Sequence, residues 1–228
     1  MSGPYDALSV LGPYFALDTL PDGAAGAGWR PLADLVEPGP LEERVAYTRD
    51  FLSRLAGADV EERVAASTVS LGLFARLLSP VVGAASLGVR LPPLTLDTTW
   101  WHPFETGPWP LAVDGGASIA RPGPERESSF QTLTALVDRF AAGFALSETV
   151  LWGNATSALF GAVAALRTTR PDLVPAAASY AVAALARAPF DGTGDVVRGR
   201  FVRRSCCLYY RVPGGGYCGD CVLEPATR

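Results

Sequence analysis

The chain's only four cysteines fall within the sixteen positions Cys206-Cys207-Leu-Tyr-Tyr-Arg-Val-Pro-Gly-Gly-Gly-Tyr-Cys218-Gly-Asp-Cys221 of a 228-residue protein. Cys218-Gly-Asp-Cys221 is a CxxC turn whose two thiolates can chelate a metal, and an adjacent pair of cysteines lies ten residues before it. Four thiolates this close together can close a tetrahedral zinc site or hold a [2Fe–2S] cluster, in which each iron takes two sulfurs. Zinc ribbons and knuckles use two separated CxxC-like turns, because adjacent cysteines reach poorly around one small ion. A two-iron cluster is a larger object and accommodates Cys206 and Cys207 more readily. A Cys206–Cys207 disulfide beside free Cys218 and Cys221, and a structural zinc knob, remain open readings of the same residues.

The residues between the thiols suit a cluster. Pro213-Gly214-Gly215-Gly216 carries almost no side chain, so backbone N–H groups can approach sulfur closely and tune a potential. Tyr209, Tyr210 and Tyr217 are placed to shield one side. From 196 to 211 the chain has Arg198, Arg200, Arg203, Arg204 and Arg211 and no acidic residue. A four-thiolate cluster is an anion, which a positive collar would stabilise; a solvated basic face is the plainer reading of the same arginines.

The elements that must position these thiols are mostly helical. Prolines break residues 1–40 into short turns. Leu41, Val45, Leu52 and Leu55 recur at helical spacing up to Gly57, and Asp59 with Glu62 offers a capping box for a second helix running to about Ser79. Residues 89–121 are proline-rich, with short β-prone pieces at 94–96 and 111–113, and predict a small antiparallel insert. Ser128 opens a further helix with Leu133, Leu136, Val137, Phe140 and Phe144 on one face. After a break at Gly153-Asn154 an apolar helix runs to Arg167, and Pro171 starts a last one reaching about Ala188. Asp191-Gly192-Thr193-Gly194 reads as a linker. The expectation is an α+β fold: a mostly helical body at 1–190 with a β insert at about 89–121, then a cluster-binding segment at 191–228.

Composition bounds the function. The chain is 49% apolar and 18% charged, with mean hydropathy +0.20, which describes a folding globular protein. A net charge of −4 argues against general nucleic-acid binding. All 19 basic residues are arginine, a usage bias without functional content. The N-terminus lacks a basic, then apolar, signal pattern, and the apolar run 149–166 is interrupted by Gly153, Asn154, Thr156 and Ser157, so it reads as a buried helix instead of a membrane span. A reducing cytoplasm is the expected location, where clustered thiols more often bind metal or do redox chemistry than form disulfides.

The pattern Cys-Cys, ten residues, Cys, two residues, Cys resembles the C-terminal [2Fe–2S] signature of the FhuF-like ferric-siderophore reductases. The flanking Arg203-Arg204-Ser205-Cys206-Cys207-Leu208-Tyr209-Tyr210-Arg211 and Gly214-Gly215-Gly216-Tyr217-Cys218-Gly219-Asp220-Cys221 are similar to that family's, as is the helix-opening turn Leu151-Trp152-Gly153-Asn154. The resemblance covers residues 130–223 and is loose before them. It implies a cytoplasmic oxidoreductase with a [2Fe–2S] cluster on Cys206, Cys207, Cys218 and Cys221, the residues that would also carry the electron transfer. The implied reaction passes one electron to siderophore-bound Fe(III). Hard oxygen donors hold Fe(III) far more tightly than Fe(II), so reduction loosens the iron.

Arg203, Arg204 and Arg211 are candidates for surrounding the cluster with charge and attracting an anionic ferric chelate or an acidic electron donor, a role that the resemblance does not assign. Trp152 is a candidate for either the cluster segment's packing or a substrate cleft. Asn154 is expected to cap the helix that follows it. His102, the only histidine, is expected to be a hydrogen-bonding residue, and Trp100, Trp101 and Trp109 to form a packed corner or else a wall for a bulky chelate. No Gly-rich dinucleotide loop is present, so electrons must come from an external donor such as a ferredoxin or a flavoprotein reductase. No transmembrane span is expected, while peripheral docking at a membrane stays open. Two readings from other classes compete: a ferredoxin-like carrier with no chelate site, and a zinc-stapled interaction protein.

Overall fold

The computed structural model describes residues 5–22, 27–114 and 125–223. Helices hold 54% of the chain and the sheets are small, an α+β architecture. After a single helical turn, α1 (Asp6–Ser9), come two very short strands, β1 (Asp18–Thr19) and β2 (Arg30–Pro31). Helix α2 (Pro40–Ala56) begins at a proline, uses Glu42 to accept from the Gly39 amide, and ends where Gly57 takes a left-handed conformation at φ 64°. Those three local signals fix its bounds.

Helix α3 (Glu62–Leu87) runs eight residues beyond the expected end at Ser79, straight through Pro80. Burial explains this continuation, since sixteen of its residues are buried and the helix packs against α2, α4, α5 and α6. Asp59 does not cap it; its carboxylate takes Arg49 at 2.9 and 3.0 Å. Gly83 lets the N-terminal segment dock on α3, because a Cβ there would stand 2.9 Å from Leu11 and Phe15 and 3.2 Å from Leu8 of α1. Arg76, also on α3 and nearly fully buried, ties the N-terminal segment down by donating to the carbonyls of Tyr14, Ala16 and Trp109. Burial pushes its pKa down to about 10.

The expected insert is present as β3 (Thr99–Trp101) antiparallel to β4 (Leu111–Val113), but residues 94–96 are not a strand. The N-terminal strands complete the sheet, with β1 parallel to β4 and β2 antiparallel to β3, giving the order β1-β4-β3-β2. The part of the insert at 115–124 lies outside the described residues. Trp101 and Trp109 are buried edge to face at 5.6 Å, and Phe104 meets Trp109 at 5.1 Å beneath the Arg44 guanidinium. They form a packed corner. The adjoining hollow holds about 150 Å³, below the size of a small-molecule site. His102 places its ring nitrogens 2.7 Å from the Pro103 carbonyl and 3.1 Å from that of Ala27, a structural hydrogen-bonding position.

Helix α4 (Glu125–Phe144) starts before Ser128, and α5 (Glu148–Thr169) is continuous through Gly153-Asn154. Ser147 is the N-cap of α5, accepting from the Val150 amide at 3.4 Å. Asn154 is therefore not a cap; it lies a turn and a half inside the helix. Pro171 opens a 3-10 turn that leads into α6 (Val174–Leu185). Helices α3 and α5 are both long and apolar enough to cross a bilayer, and in this fold most of each is buried among the other helices. The chain then forms a hairpin of β5 (Gly194–Val197) and β6 (Arg200–Arg203) that delivers the cysteine segment.

Candidate metal centre

The hairpin is fixed to α5 at two points. Thr193, just before β5, hydrogen-bonds Thr156 through their hydroxyls at 2.8 Å. On the partner strand at the same end of the hairpin, Arg203 and Ser205 press against Gly153, where a Cβ would lie 2.2 Å from Ser205 Oγ and 3.1 Å from Arg203 Nη2. Any side chain at 153 would displace this segment. Past the adjacent cysteines, Leu208 takes a left-handed conformation at φ 68° and starts a 3-10 turn at Tyr209–Arg211. Tyr209 and the buried Val212 then pack on Leu52, Val60 and Val64 at the α2–α3 junction. The cysteine segment is thus held at both ends.

All four cysteines are unbridged, Cys207 and Cys221 buried and Cys206 and Cys218 half-buried. No vicinal disulfide forms. Among the described residues no three Cys, His, Asp or Glu donors converge as a single-ion site requires. The thiols are arranged otherwise. Cys207 and Cys218 share a hydrogen bond, the amide of Leu208 donates to Cys206 Sγ at 3.3 Å, and the amide of Leu223 donates to Cys221 Sγ at 3.3 Å. The expected donors were the glycines at 214–216, yet Gly215 donates to the Val212 carbonyl at 2.8 Å. The amides reaching sulfur lie two residues after a cysteine.

The hydrogen bond from Cys218 lowers the pKa of Cys207 to about 7, helped by the Tyr209 amide and the Arg203 charge and opposed by burial and by Cys206. The same bond, with burial, raises that of Cys218. One proton held between two sulfurs accounts for both directions.

Of the five arginines of the expected collar, only Arg203 is buried, at 1% exposure. Its Nη2 donates to Asn154 Oδ1 at 2.6 Å, and its charge acts on Cys207 and Cys218. Its Nε and Nη1 are buried without a hydrogen-bond partner, as are Ser205 Oγ and Asp220 Oδ2. Asn154, fully buried, also donates through Nδ2 to Ser67 O, Ser67 Oγ and Ser70 Oγ at 3.1, 3.0 and 2.9 Å. The Ser67 hydroxyl in turn donates to the Cys207 carbonyl at 2.8 Å. Asn154 is a hub between α3, α5 and the thiols, a role that the sequence pattern did not reveal.

Arg204 and Arg211 turn away from the thiols. Arg204 pairs with Asp195 at 2.8 Å, Arg211 pairs with Glu61 at 2.5 Å, and both are exposed. Arg200 donates to the Gly219 carbonyl. Tyr210 and Tyr217 are exposed and do not shield sulfur. Trp152 meets Phe190 edge to face at 5.9 Å where the chain leaves α6 for the hairpin.

Four unbridged thiols beside a buried guanidinium with two idle N–H groups fit a bound anion whose atoms accept hydrogen bonds. A [2Fe–2S] cluster, with its thiolate and sulfide sulfurs, is such a group. Cys218, Gly219 and Asp220 also form one wall of a groove of about 710 Å³ between α3, α5, α6 and the hairpin.

Comparison with known protein families falls on the same segment. Residues 203–223 match the family model described as the FhuF 2Fe-2S C-terminal domain. The match starts at Arg203, contains all four cysteines and leaves Leu151-Trp152-Gly153-Asn154 outside. That turn is connected to it through the Asn154–Arg203 bond. No curated protein matches the chain.

Proposed function

We propose that this protein, whose C-terminal segment is a FhuF-type [2Fe–2S] domain and which therefore has an oxidoreductase role, is a ferric-siderophore reductase of the cytoplasm. Cys206, Cys207, Cys218 and Cys221 hold the cluster, which supplies one electron per turnover. Arg203 stabilises the bound anion with its charge and its two idle N–H groups, while Asn154 and Gly153 keep that guanidinium in place. Balance is simple. One electron converts the chelated Fe(III) to Fe(II), the chelate loosens because its hard oxygen donors hold Fe(II) weakly, and an external donor of the ferredoxin or flavoprotein class restores the electron.

The observation that carries this reading is the position of Cys218 on the groove wall, which puts a redox ligand at the edge of a cavity large enough for a small molecule. A ferredoxin-like carrier needs a docking face and no such cavity.

A single-turnover experiment tests the proposal. Anaerobically reduced protein is mixed with a ferric siderophore and an Fe(II)-specific trapping chelator. One trapped Fe(II) per cluster, formed as the cluster's visible absorption returns, is the expected result. A cluster that stays reduced over many minutes against several ferric siderophores, while still reducing a partner protein, would establish the carrier instead.

A further inference from the structure

The four thiols sort into two pairs. Cys207 and Cys218 are in hydrogen-bond contact, sulfur to sulfur. Two thiolates on one tetrahedral ion, at metal–sulfur bonds of about 2.3 Å, lie about 3.8 Å apart. Thiolates on the two irons of a [2Fe–2S] cluster stand on opposite sides of its sulfide bridge. Contact between two sulfurs is therefore the arrangement of ligands to a common iron. Cys206 and Cys221 share a different environment, since each accepts from the amide two residues ahead, that of Leu208 or Leu223, at 3.3 Å. Ligand pairs that grip one ion keep at least two residues between them, which Cys206 and Cys207 do not have.

The pairs also differ in the charge beside them. The Arg203 amide donates to the Asp220 carbonyl at 3.2 Å, inside the Cys218–Cys221 turn. Its side chain is joined through Asn154 and Ser67 to the Cys207 carbonyl. The buried guanidinium acts on the sulfurs of both Cys207 and Cys218. We infer that Cys207 and Cys218 ligate one iron and Cys206 and Cys221 the other, and that the electron of the reduced protein resides on the first. This inference rests on the cluster and not on what the cluster reduces.

Reduction adds a negative charge, which is most stable beside a fixed positive one. Two influences oppose its placement on the first iron. The Leu208 and Leu223 amides favour Fe(II) on the second, and the Asp220 carboxylate disfavours it next to Cys218. The Tyr209 amide on Cys207 offsets one of those two amides, and an ionised donor is worth roughly twice a neutral one. Asp220 is half-buried and acts on Cys218, whereas Arg203 is fully buried and acts on both sulfurs, so solvent screens the carboxylate more than the guanidinium. Arg203 decides the balance. Because Cys218 lies on the groove wall, the electron is then held one thiolate away from the groove.

Proton NMR of the anaerobically reduced, cluster-loaded protein tests both halves without touching a ligand. In a coupled spin-½ pair, the β protons of cysteines on Fe(III) shift far downfield and move back on warming, while those on Fe(II) shift less and move further downfield on warming. Each cysteine is assigned through its contacts, Cys206 to Leu208, Cys207 to Tyr209 and Cys221 to Leu223. The Fe(II) trend is expected for Cys207 and Cys218 and the Fe(III) trend for Cys206 and Cys221. Any other partition, or four cysteines alike, overturns the inference, as does the same partition with the trends exchanged. Arg203→Gln, with the visible spectrum intact, is expected to weaken the preference for the first iron by about tenfold, or about 59 mV for one electron, drawing the shifts of the two pairs together. Trends unchanged in that variant also overturn it. Reduced protein without a spin-½ signal removes the cluster and this inference with it. A protein that shows the expected trends yet reduces no ferric siderophore keeps the inference and loses the reductase reading.

Discussion

Replacing Asn154 by leucine should destabilise this protein, although the residue lies tens of positions from any thiol in sequence. Asn154 is fully buried and, among the described residues, is the sole hydrogen-bond partner of the Arg203 side chain, at 2.6 Å. Leucine keeps the volume and removes the acceptor, so a guanidinium at 1% exposure loses its only bond. Asn154 carries no charge, so the loss is that of a buried charged donor left without its acceptor, about 2–3 kcal/mol. Ser67 and Ser70 keep their own donors paired, to the Cys207 and Ser67 carbonyls, and lose only the Asn154 amide, for about 1 kcal/mol more. The sum, about 3–4 kcal/mol, lowers the melting temperature of a chain this size by roughly 6–16 °C. Far-UV circular dichroism of anaerobic protein at one scan rate reads it. Arg203→Met in the same background removes the unpaired donor, so the double variant should be more stable than the two single losses predict, by about 1–3 kcal/mol. If Asn154→Leu melts within about 2 °C of wild type, or the two losses simply add, the hub is not what joins α5 to the cysteine segment.

Three arginines that look alike in sequence should behave differently. Arg204→Ala and Arg211→Ala each break an exposed ion pair and should cost under about 1 kcal/mol in chemical denaturation, with no change in the cluster's reduction midpoint. Arg203→Gln withdraws a buried positive charge and should lower that midpoint by several tens of millivolts in a redox titration; a shift of the same size in all three would restore the collar. In the cluster-free protein, the Cys207 pKa near 7 means that its thiolate forms as pH rises through 7 instead of 9.0. Alkylation by iodoacetamide, mapped by mass spectrometry, should therefore reach half its maximal rate near pH 7, and Cys218→Ala, which deletes the largest cause, should move that midpoint up towards 9. A Cys207 midpoint that ignores the Cys218 substitution would disprove the shared proton.

What the sequence disclosed was local. Helix α2 could be bounded because Pro40, Glu42 and Gly57 act within a turn of its ends, and the cysteine spacing and the flanking residues pointed to a two-iron cluster before any geometry. What it hid was distant. An asparagine before an apolar run reads as a cap, and only a fold that brings Ser67 and Arg203 to it, 87 and 49 residues away, makes it a hub. Arg204 and Arg211 looked unopposed because their partners, Asp195 and Glu61, lie outside the basic window. Strands β1 and β2, two residues each, are too short to leave a period-two pattern. The groove left its trace in the run of Ala and Gly along α5, a helix face too small to fill the space between its neighbours.

The account stands on the four thiols holding two irons, and elemental analysis joined to electron paramagnetic resonance tests that most directly. Protein purified without oxygen should carry about two iron and two acid-labile sulfide per chain, and one-electron reduction should produce a single spin-½ signal that integrates to about one per chain. Zinc in place of iron, or iron without sulfide and without that signal after dithionite, would contradict it.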